Sequence, residues 1–466
     1  MLIAIAIFTV LFFILTLQKT DWALLLLIAS LPAYLIRFNI QGLPLTLLEV
    51  MILISFGTWL LREALPHIKT WIKNKELREP YPFAWEIISL LIISWMAVAV
   101  SGWSTGAWGI WKAYFFEPLL VFILIFNIFK QKKDLLKIFW AFLISALAVA
   151  LFAVWQQITG LYIDNPFWAA EATRRVVSFF GFPNAVGLYL APLTMLLSGW
   201  LVFIHLSKPR EGAFPKIIIT LTIILSLLAI YFAHSEGALV GIIAGLVAFG
   251  LLSGKWQRII TIVILVAAVA GLLSFAPRAE KIIDKLTLSD LSGEIRQQQW
   301  KETFTMLSGE HLILGAGLDN YKNSIKPYHQ EGIFFNSDKI ANFDAVTWAS
   351  STLQVKYWQP TEIYLYPHNI FLNFWSELGL AGLLLFIWLI GKYLWISLRL
   401  SVALGRARSP EKYISLGLLT AMIAIVVQGL VDVPYFKNDL SVMFWILLAM
   451  IGALDLSYRH DRELKN

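Results

Sequence analysis

The sequence predicts an all-α polytopic membrane protein, with 12–13 transmembrane helices and one large, mostly helical extracytoplasmic loop. Composition is the first reason: 59% of the 466 residues are hydrophobic and 14% are charged, whereas a soluble domain is about half apolar and about a quarter charged. The second reason is a succession of apolar runs, each about as long as a membrane-spanning helix. The chain has no cysteine, which excludes disulfides, thiol nucleophiles and cysteine-based metal sites.

Apolar runs define the predicted spans. They lie near residues 2–18, 21–36, 45–62, 84–102, 110–129, 136–158, 184–204, 215–233, 236–253, 257–275, 369–396, 412–431 and 440–457. The polar turn between the first two runs is very short, so the count is twelve or thirteen and the side of the N-terminus stays open. Met1 has no basic flank, so we expect no cleavable signal peptide.

Lysine and arginine concentrate in every second connection between these runs, which predicts that those connections are cytoplasmic. The basic residues are Arg62, Lys69, Lys73, Lys75, Arg78, Lys130, Lys132, Lys133, Lys137, Lys208, Arg210, Lys216, Lys255, Arg258, Lys392, Arg399, Arg406, Arg408, Lys412, Arg459, Arg462 and Lys465. The alternate connections are predicted to face outward: 103–109, 159–183, 234–236, 276–367 and 432–439. The excess of basic residues therefore indicates membrane orientation, and no nucleic-acid partner is expected.

The segment 276–367 is by far the longest polar connection, and a loop of this length is expected to have structure of its own. Its apolar residues recur at helical spacing, at Ile282, Ile283, Leu286, Ile295, Trp300 and Phe304. We therefore predict a mixed, mostly helical cap on the outer face. The predicted organisation is a first part of the bundle over 1–275, the cap over 276–367, a second part of the bundle over 368–458 and a cytoplasmic tail over 459–466.

The stretch "YPHNIFLNFWSELGLAGLLLF" carries polar residues into an apolar run. With a helix starting at Pro367, a polar stripe forms on about one third of the circumference, from Asn369, Asn373, Ser376 and Glu377. A charge in the membrane is costly unless it faces a cavity or a partner, so the stripe is predicted to face a wet cleft. Gly379 and Gly382 would admit a neighbouring helix. Hydrogen bonding between helices, without any chemistry, is the alternative for the stripe.

Three further groups of ionisable residues lie at predicted outer boundaries. His368 stands at the mouth of the stripe and can accept a proton from a hydroxyl. Arg174 and Arg175 precede the span near 184–204, where guanidinium groups suit phosphate oxygens; binding of lipid headgroups is the alternative. Asp432 and Lys437 lie at the outer end of the penultimate span. These residues predict a site at the outer leaflet, with cations for a phosphate and a base nearby.

Four motifs in this order resemble the O-antigen ligase superfamily of bacterial envelope glycan enzymes. The most specific is His368–Asn369, a nine-residue gap and then "GLAG", at the end of the long outer loop. The others are "RRVVSFFGFPNAVGLYL", "EIRQQQWKETFTMLSGEHLILGAGLDNY" and "GLVDVPYF", so the resemblance covers roughly residues 165–440. One position departs from the family pattern: "HSEGALVG" has Glu236 where the family usually has arginine. A phosphate role of that arginine would then fall to Arg174, Arg175, Arg296 or Lys112.

The resemblance implies a membrane glycosyltransferase of the bacterial inner membrane, with its active site on the extracytoplasmic side. Such an enzyme moves a glycan from an undecaprenyl-pyrophosphate carrier to an acceptor hydroxyl on a lipid, glycan or protein, without a metal or another cofactor. The implied catalytic residues are His368 as base, Asn369 orienting it and Asp432 orienting His368 or binding the acceptor. The candidate substrate-binding residues are Arg174, Arg175, Arg296, Lys322, Asn373 and Glu377.

Alternatives remain open at this point. A glycan polymerase and a protein O-oligosaccharyltransferase share the superfamily scaffold, and a catalytically inactive relative is compatible with Glu236. A lipid-glycan flippase or secondary transporter is the alternative from another class. It is less favoured because the sequence shows neither broken helices nor paired halves.

Overall fold

The computed structural model describes residues 2–67, 81–129, 132–207, 212–274 and 283–463. Several basic residues used to predict orientation lie outside these ranges, as does Ile282 of the predicted cap helix. The omitted basic residues are Lys69, Lys73, Lys75, Arg78, Lys130, Lys208, Arg210 and Lys465.

Helices dominate the described chain, and each predicted apolar run overlaps at least one of them. Before the cap they are α1 (Leu2–Gln18), α2 (Thr20–Ala29), α3 (Leu47–Trp59), α4 (Ala84–Val100), α5 (Thr105–Trp111), α6 (Glu117–Ile128), α7 (Lys132–Thr159), α8 (Pro166–Ala169), α9 (Pro183–Ser207), α10 (Ala213–Phe232), α11 (Glu236–Ser253) and α12 (Lys255–Ser274). One π-helical turn, Leu60–Ala64, extends α3 and another, Lys112–Phe116, joins α5 to α6. Short 3-10 helices cover Leu31–Leu35 and Glu171–Thr173.

The cap and the C-terminal part contain the remaining elements. They are α13 (Leu291–Leu307), α14 (Tyr321–Ser324), a 3-10 helix (Lys326–Tyr328), α15 (Phe343–Trp348), α16 (Ser351–Tyr357), α17 (Ile370–Arg406), α18 (Lys412–Gln428) and α19 (Asn438–Glu463). Two antiparallel strand pairs complete the described structure: β1 (Arg37–Ile40) with β2 (Leu43–Thr46), and β3 (Gly332–Phe334) with β4 (Trp358–Pro360). The predicted class, an all-α polytopic membrane protein, is confirmed.

Seven helices in the described ranges are long and apolar enough to cross a membrane. They are Thr105–Ile128, which unites α5 and α6, together with α7, α9, α10, α11, α17 and α19. Four shorter apolar helices are α1, α2, α4 and α18. The second predicted span is interrupted: α2 has 10 residues, about half the length that crosses the hydrocarbon core, and Pro32 lies in the 3-10 helix that follows. The number of crossings therefore stays a prediction.

Two helices occupy the centre of the bundle, because most residues of α9 and α19 are buried. Glycines allow close packing against α9: a Cβ on Gly199 would lie 2.5 Å from the Cα of Gly417 in α18. About two turns further along α18, a Cβ on Gly241 of α11 would lie 2.8 Å from the carbonyl oxygen of Ala424. Small residues at such contacts let helix backbones approach within the membrane.

The helix that carries the polar stripe begins and continues differently from the prediction. It starts at Ile370 with Asn369 as its N-cap, because the side chain of Asn369 accepts hydrogen bonds from the first free N–H groups. It is also broken at Gly379, where φ is 75° and ψ is −178°, a combination that in practice only glycine adopts. The sequence-based expectation that no helix is broken was therefore wrong for α17.

The break in α17 is filled by the cap segment 312–319. The N–H of Leu380 donates to the carbonyl of Ile313 at 3.0 Å, and the N–H of Ala316 donates to the carbonyl of Ser376 at 2.6 Å. A Cβ on Gly379 would clash with the carbonyl oxygen of Ile313. Gly379 thus admits a loop of the cap rather than the neighbouring helix that was predicted.

The same cap segment reaches the end of α4, where the N–H of Leu318 donates to the carbonyl of Ala97 at 3.2 Å. A small apolar cluster of the cap, formed by Met306, Leu307, Tyr321 and Ile325, packs against Leu372 and Trp375 of α17. The cap is therefore held to the bundle by backbone hydrogen bonds and by apolar burial.

Replacing Gly379 by Ala is predicted to loosen the cap. The substitution forces a side chain into a glycine-only conformation, which costs at least about 1–3 kcal/mol, and it places a methyl group against the Ile313 carbonyl. We expect a lower unfolding temperature in detergent and faster proteolysis within 283–367. Gly391→Ala is the matched control in the same helix, because a Cβ at Gly391 meets no atom within 4 Å. Equal behaviour of the two variants would contradict this account.

Candidate functional site

A buried carboxylate, Asp432, lies beside His368. Asp432 is located in the turn between α18 and α19, and its side chain is 7% exposed. Its Oδ1 lies 3.7 Å from Nδ1 of His368, longer than a hydrogen bond. Burial alone raises the pKa of Asp432, but His368, the Val433 N–H and Arg296 together hold that pKa below its usual value. The carboxylate therefore stays ionised next to the imidazole.

Asn184 connects this pair to Arg175. The Nδ2 of Asn184 donates to Oδ2 of Asp432 at 3.3 Å, and Nη2 of Arg175 donates to Oδ1 of Asn184 at 3.3 Å. Nε of Arg175 donates to the carbonyl of Ala233 at 3.1 Å, which fixes the guanidinium at the end of α10. His368, Asp432, Asn184 and Arg175 therefore form one continuous polar network, which we call the outer network.

The cap contributes to the outer network through one face of α13. Residues 296, 299 and 300 share this face, since residues three and four apart are neighbours on a helix. Gln299 donates to the carbonyl of Tyr366 and Trp300 donates to the carbonyl of Pro367, both at 2.9 Å. These two bonds hold the residues that immediately precede His368.

Arg296 adds a second positive charge to the outer network. Its charge acts on Asp432 and on Arg175, while its Nη1 donates to the hydroxyl of Ser292 at 2.6 Å. Its buried Nε has no hydrogen-bond partner among the described residues. Burial lowers the pKa of Arg175, and the nearby charge of Arg296 lowers it further.

The backbone at His368 aims the imidazole. His368 has φ of 42°, an uncommon value for a residue with a side chain. The rings of Tyr364 and Tyr366 contact the imidazole edge-on, each with a centroid separation of 5.0 Å. The side chain of His368 is 19% exposed, and its buried Nδ1 has no hydrogen-bond partner within the described ranges. The exposed part of the side chain therefore lies away from Nδ1.

Two predicted residues lie apart from the outer network. Arg174 is adjacent to Arg175 in sequence, but its Nη1 donates to the carbonyl of Gln157 at 2.9 Å and its Nε donates to the carbonyl of Ala169 at 3.3 Å. Its guanidinium is thereby directed toward the ends of α7 and α8. Lys322 is exposed on α14, and the described residues give it no hydrogen bond or ion pair with the outer network.

Asn369 serves the helix rather than the imidazole. Its Oδ1 accepts hydrogen bonds from the N–H groups of Phe371 and Leu372, and its Nδ2 donates to the carbonyl of Leu430 at 3.0 Å. The predicted role of orienting His368 directly is therefore not seen in the hydrogen bonds. Asn369 instead joins the start of α17 to the end of α18.

The polar stripe faces protein and not an open cleft. Asn373, Ser376 and Glu377 are each at most 4% exposed. Oε2 of Glu377 accepts from the N–H of Asp319 at 2.9 Å, so the cap segment in the helix break supplies the partner that a membrane-buried polar residue needs. The prediction that the stripe faces a wet cleft was wrong, because the cap segment covers these residues.

Two further charged positions named from the sequence are paired. Glu236, at the start of α11, forms an ion pair with Lys285 of the cap, and both side chains are half-exposed. Lys112 pairs with the buried Glu49 at 2.5 Å. Lys112 therefore does not supply a free cation in place of the arginine that the family usually has at position 236.

Several site residues escaped the sequence-based prediction. Asn184, Gln299, Trp300, Tyr364 and Tyr366 contact the outer network or its turn, yet they carry no charge. Two of them could have been predicted from the sequence, because Gln299 and Trp300 follow Arg296 at helical spacing. Across the described ranges, no group of three or more His, Asp or Glu side chains could hold a metal ion.

A comparison with protein families gives a match that overlaps this site. Residues 221–387 match the family described as O-Antigen ligase. The range includes His368, Arg296 and Glu236, while Arg175 and Asp432 lie outside it. The comparison with curated proteins found no match. The resemblance is thereby confirmed over 221–387, and it supports a membrane glycan ligase or polymerase function of the glycosyltransferase type, in polysaccharide biosynthesis.

Replacing Trp300 by Phe tests whether α13 holds the turn at His368. The variant keeps an aromatic ring but leaves the Pro367 carbonyl without its donor, a loss of about 1–3 kcal/mol when the group stays buried. We expect faster hydrogen exchange at the amides of 370–372 by mass spectrometry. Trp348→Phe is the control, since Trp348 is exposed in the cap. Unchanged exchange in the Trp300 variant would contradict the proposed restraint.

Proposed function

We propose that the protein transfers a glycan from an undecaprenyl-pyrophosphate carrier to an acceptor hydroxyl, at the extracytoplasmic face of the bacterial inner membrane. The single observation that carries the proposal is the outer network. It brings a histidine and an arginine, 193 positions apart in sequence (175 and 368), to the two ends of one chain of polar contacts.

His368 is the proposed general base. With Nδ1 directed at Asp432, the carboxylate favours the tautomer whose Nδ1 carries the proton, as in acid–histidine pairs generally. Nε2 then carries the free lone pair and accepts the proton of the acceptor hydroxyl. The acceptor oxygen forms a bond to the anomeric carbon of the donor sugar. The bond from that carbon to the pyrophosphate oxygen breaks, and its electron pair leaves with undecaprenyl pyrophosphate.

Arg175 and Arg296 are the proposed partners of the leaving group. The positive charge of Arg296 lowers the pKa of Arg175, and the described residues place no carboxylate within ion-pair distance of Arg175. Two neighbouring cations that are so little neutralised suit a polyanion. They would stabilise charge that develops on the pyrophosphate as the sugar bond breaks. Arg296 reaches the site from the cap, so docking of the cap is required to complete the site.

The charge distribution of the helices around the outer network supports an extracytoplasmic site. The outer network lies at the starts of α9, α17 and α19 and at the ends of α10 and α18. The opposite ends of these helices carry basic residues in the described chain: Lys216, Arg406, Lys412, Arg459 and Arg462. Basic ends are expected on the cytoplasmic side, so the outer network belongs on the other side.

The acceptor class distinguishes the members of this superfamily, and the proposed chemistry is common to them. A purified lipid-linked glycan can be offered in parallel to lipid, glycan and protein acceptors. The acceptor that becomes labelled assigns the protein as ligase, polymerase or protein O-oligosaccharyltransferase. Movement of the donor across sealed vesicles without any acceptor would favour a transporter instead.

His368→Ala is expected to lower the rate of glycan transfer by about 10²–10⁴-fold, because it removes the general base. The measurement is product formation from a lipid-linked glycan, with membrane insertion and unfolding temperature followed in parallel. His205→Ala is the control, since His205 is exposed near the basic end of α9. Full transfer by the His368 variant would end the proposal.

The two adjacent arginines give a matched pair. Arg175→Gln is expected to raise the KM for the donor by about tenfold or more, the effect of losing one hydrogen bond to a charged group. Arg174→Gln removes bonds to the carbonyls of Gln157 and Ala169, so we expect reduced thermal stability with a much smaller change in donor KM. Steady-state kinetics over a range of donor concentrations measures both. The reverse order would assign the phosphate contact to Arg174.

A further inference from the structure

Lys437 is a cation at the site that the transfer chemistry described so far does not use. It lies directly before α19, and its Nζ is 3.5 Å from the centroid of the Phe182 ring. Phe182 belongs to the segment between Arg175 and Asn184, so the ammonium borders the outer network. Within the described ranges, no carboxylate lies within 4 Å of this Nζ and no hydrogen bond holds it. The ring is the contact that fixes the ammonium.

Two acidic groups act on Lys437 from a longer distance. They are Asp432, in the turn that precedes it, and Asp439, in the first turn of α19. Burial lowers the pKa of Lys437 to about 8, although both carboxylates act in the opposite direction. The Phe182 ring is a direct contact but accepts no conventional hydrogen bond, and an ammonium that loses water without gaining hydrogen bonds is unfavourable. Such a group suits a bound anion that restores the missing contacts.

Lys437 and the arginines approach Asp432 through different parts of the chain. Arg175 is linked to Asp432 through Asn184, and Arg296 acts from the cap. Lys437 acts on Asp432 from the segment that leads into α19. The site thus has two separately supported sources of positive charge. A ligand with two linked phosphates can use both, whereas a single phosphate can use one.

We propose that Lys437 is a second phosphate-binding group, which contacts the phosphate of the donor pyrophosphate that Arg175 and Arg296 do not hold. This inference rests on the proposed function, since it deepens the account of how the donor is bound. It also explains how the site tolerates Glu236, because Lys437 supplies a positive charge that the family usually obtains from an arginine at that position.

The experiment compares two soluble probes, farnesyl pyrophosphate and farnesyl monophosphate, on the full-length protein in detergent. The wild type is expected to bind the pyrophosphate about tenfold more tightly or better, because one further hydrogen bond to a charged group forms. Lys437→Met should lose this preference and keep the affinity for the monophosphate. Lys437→Arg should keep the preference. Lys301→Met is the control, since Lys301 is exposed on α13.

The pH dependence provides a second measurement. The pKa of Lys437 is about 8, so its positive charge is present below that pH and is lost as the pH rises through it. The pyrophosphate preference of the wild type should therefore fall between one pH unit below and one pH unit above this value, whereas that of Lys437→Arg should stay constant because arginine remains charged. This difference between the two proteins would not arise from a purely structural role.

Three outcomes would overturn the inference: an unchanged pyrophosphate preference in Lys437→Met, an equal loss of affinity for both probes in that variant, or a wild type without preference. Each leaves the proposed function intact, because the transfer reaction is tested separately by His368→Ala with a glycan donor. Conversely, full transfer by His368→Ala would contradict the proposed catalytic role of His368. The preference of the protein for pyrophosphate could still be measured in that case.

Discussion

The structure around the outer network depends on the compensation of one buried carboxylate. Asp432 is nearly inaccessible and ionised, and an ionised group without partners is too costly to bury. Its compensation comes from several places in the chain: the His368 imidazole, the Asn184 amide, the Val433 N–H at 2.8 Å and the charge of Arg296. Because these groups belong to α9, the cap, the start of α17 and the turn before α19, meeting the needs of one side chain fixes the relative positions of four segments. Removing any single partner leaves the others around an undercompensated charge.

A second constraint ties the cap to the membrane helices. The break at Gly379 leaves backbone groups of α17 without helical partners, and buried backbone groups need hydrogen bonds. The segment 312–319 supplies them while the same segment binds Glu377 and α4. Held in this way, the cap presents the face of α13 that carries Arg296, Gln299 and Trp300 to the turn at His368. Cap docking and site geometry are therefore two consequences of one arrangement, and a loose cap would disturb both.

The sequence predicts some of this and not the rest, for identifiable reasons. Hydropathy located every helix of the bundle, because burial in lipid requires long apolar runs. The sequence also identified His368, Asp432 and Arg175 as candidate site residues, because ionisable residues at membrane-spanning segments commonly have a functional role. It could not separate Arg175 from Arg174, because adjacent residues outside regular structure carry no fixed difference in direction. The sequence analysis also placed Glu377 in a wet cleft. A buried carboxylate needs a hydrogen-bond partner, but the sequence does not show whether water or a protein group provides it. A glycine within an apolar run likewise gives no sign that the helix breaks there.

Charge balance explains why the departure at Glu236 is compatible with an anionic ligand. Glu236 is neutralised outside the outer network by Lys285, and Lys112 is occupied by Glu49, so neither adds to the charge at the site. Three cations, Arg175, Arg296 and Lys437, remain near Asp432, and two acidic groups lie beside them, Asp432 itself and Asp439 in the first turn of α19. Mutual repulsion between Arg175 and Arg296 is unfavourable in a partly buried place, and a bound polyanion would convert it into attraction. The same excess of positive charge would thus strengthen the binding of a pyrophosphate, whereas it would not strengthen the binding of a neutral sugar.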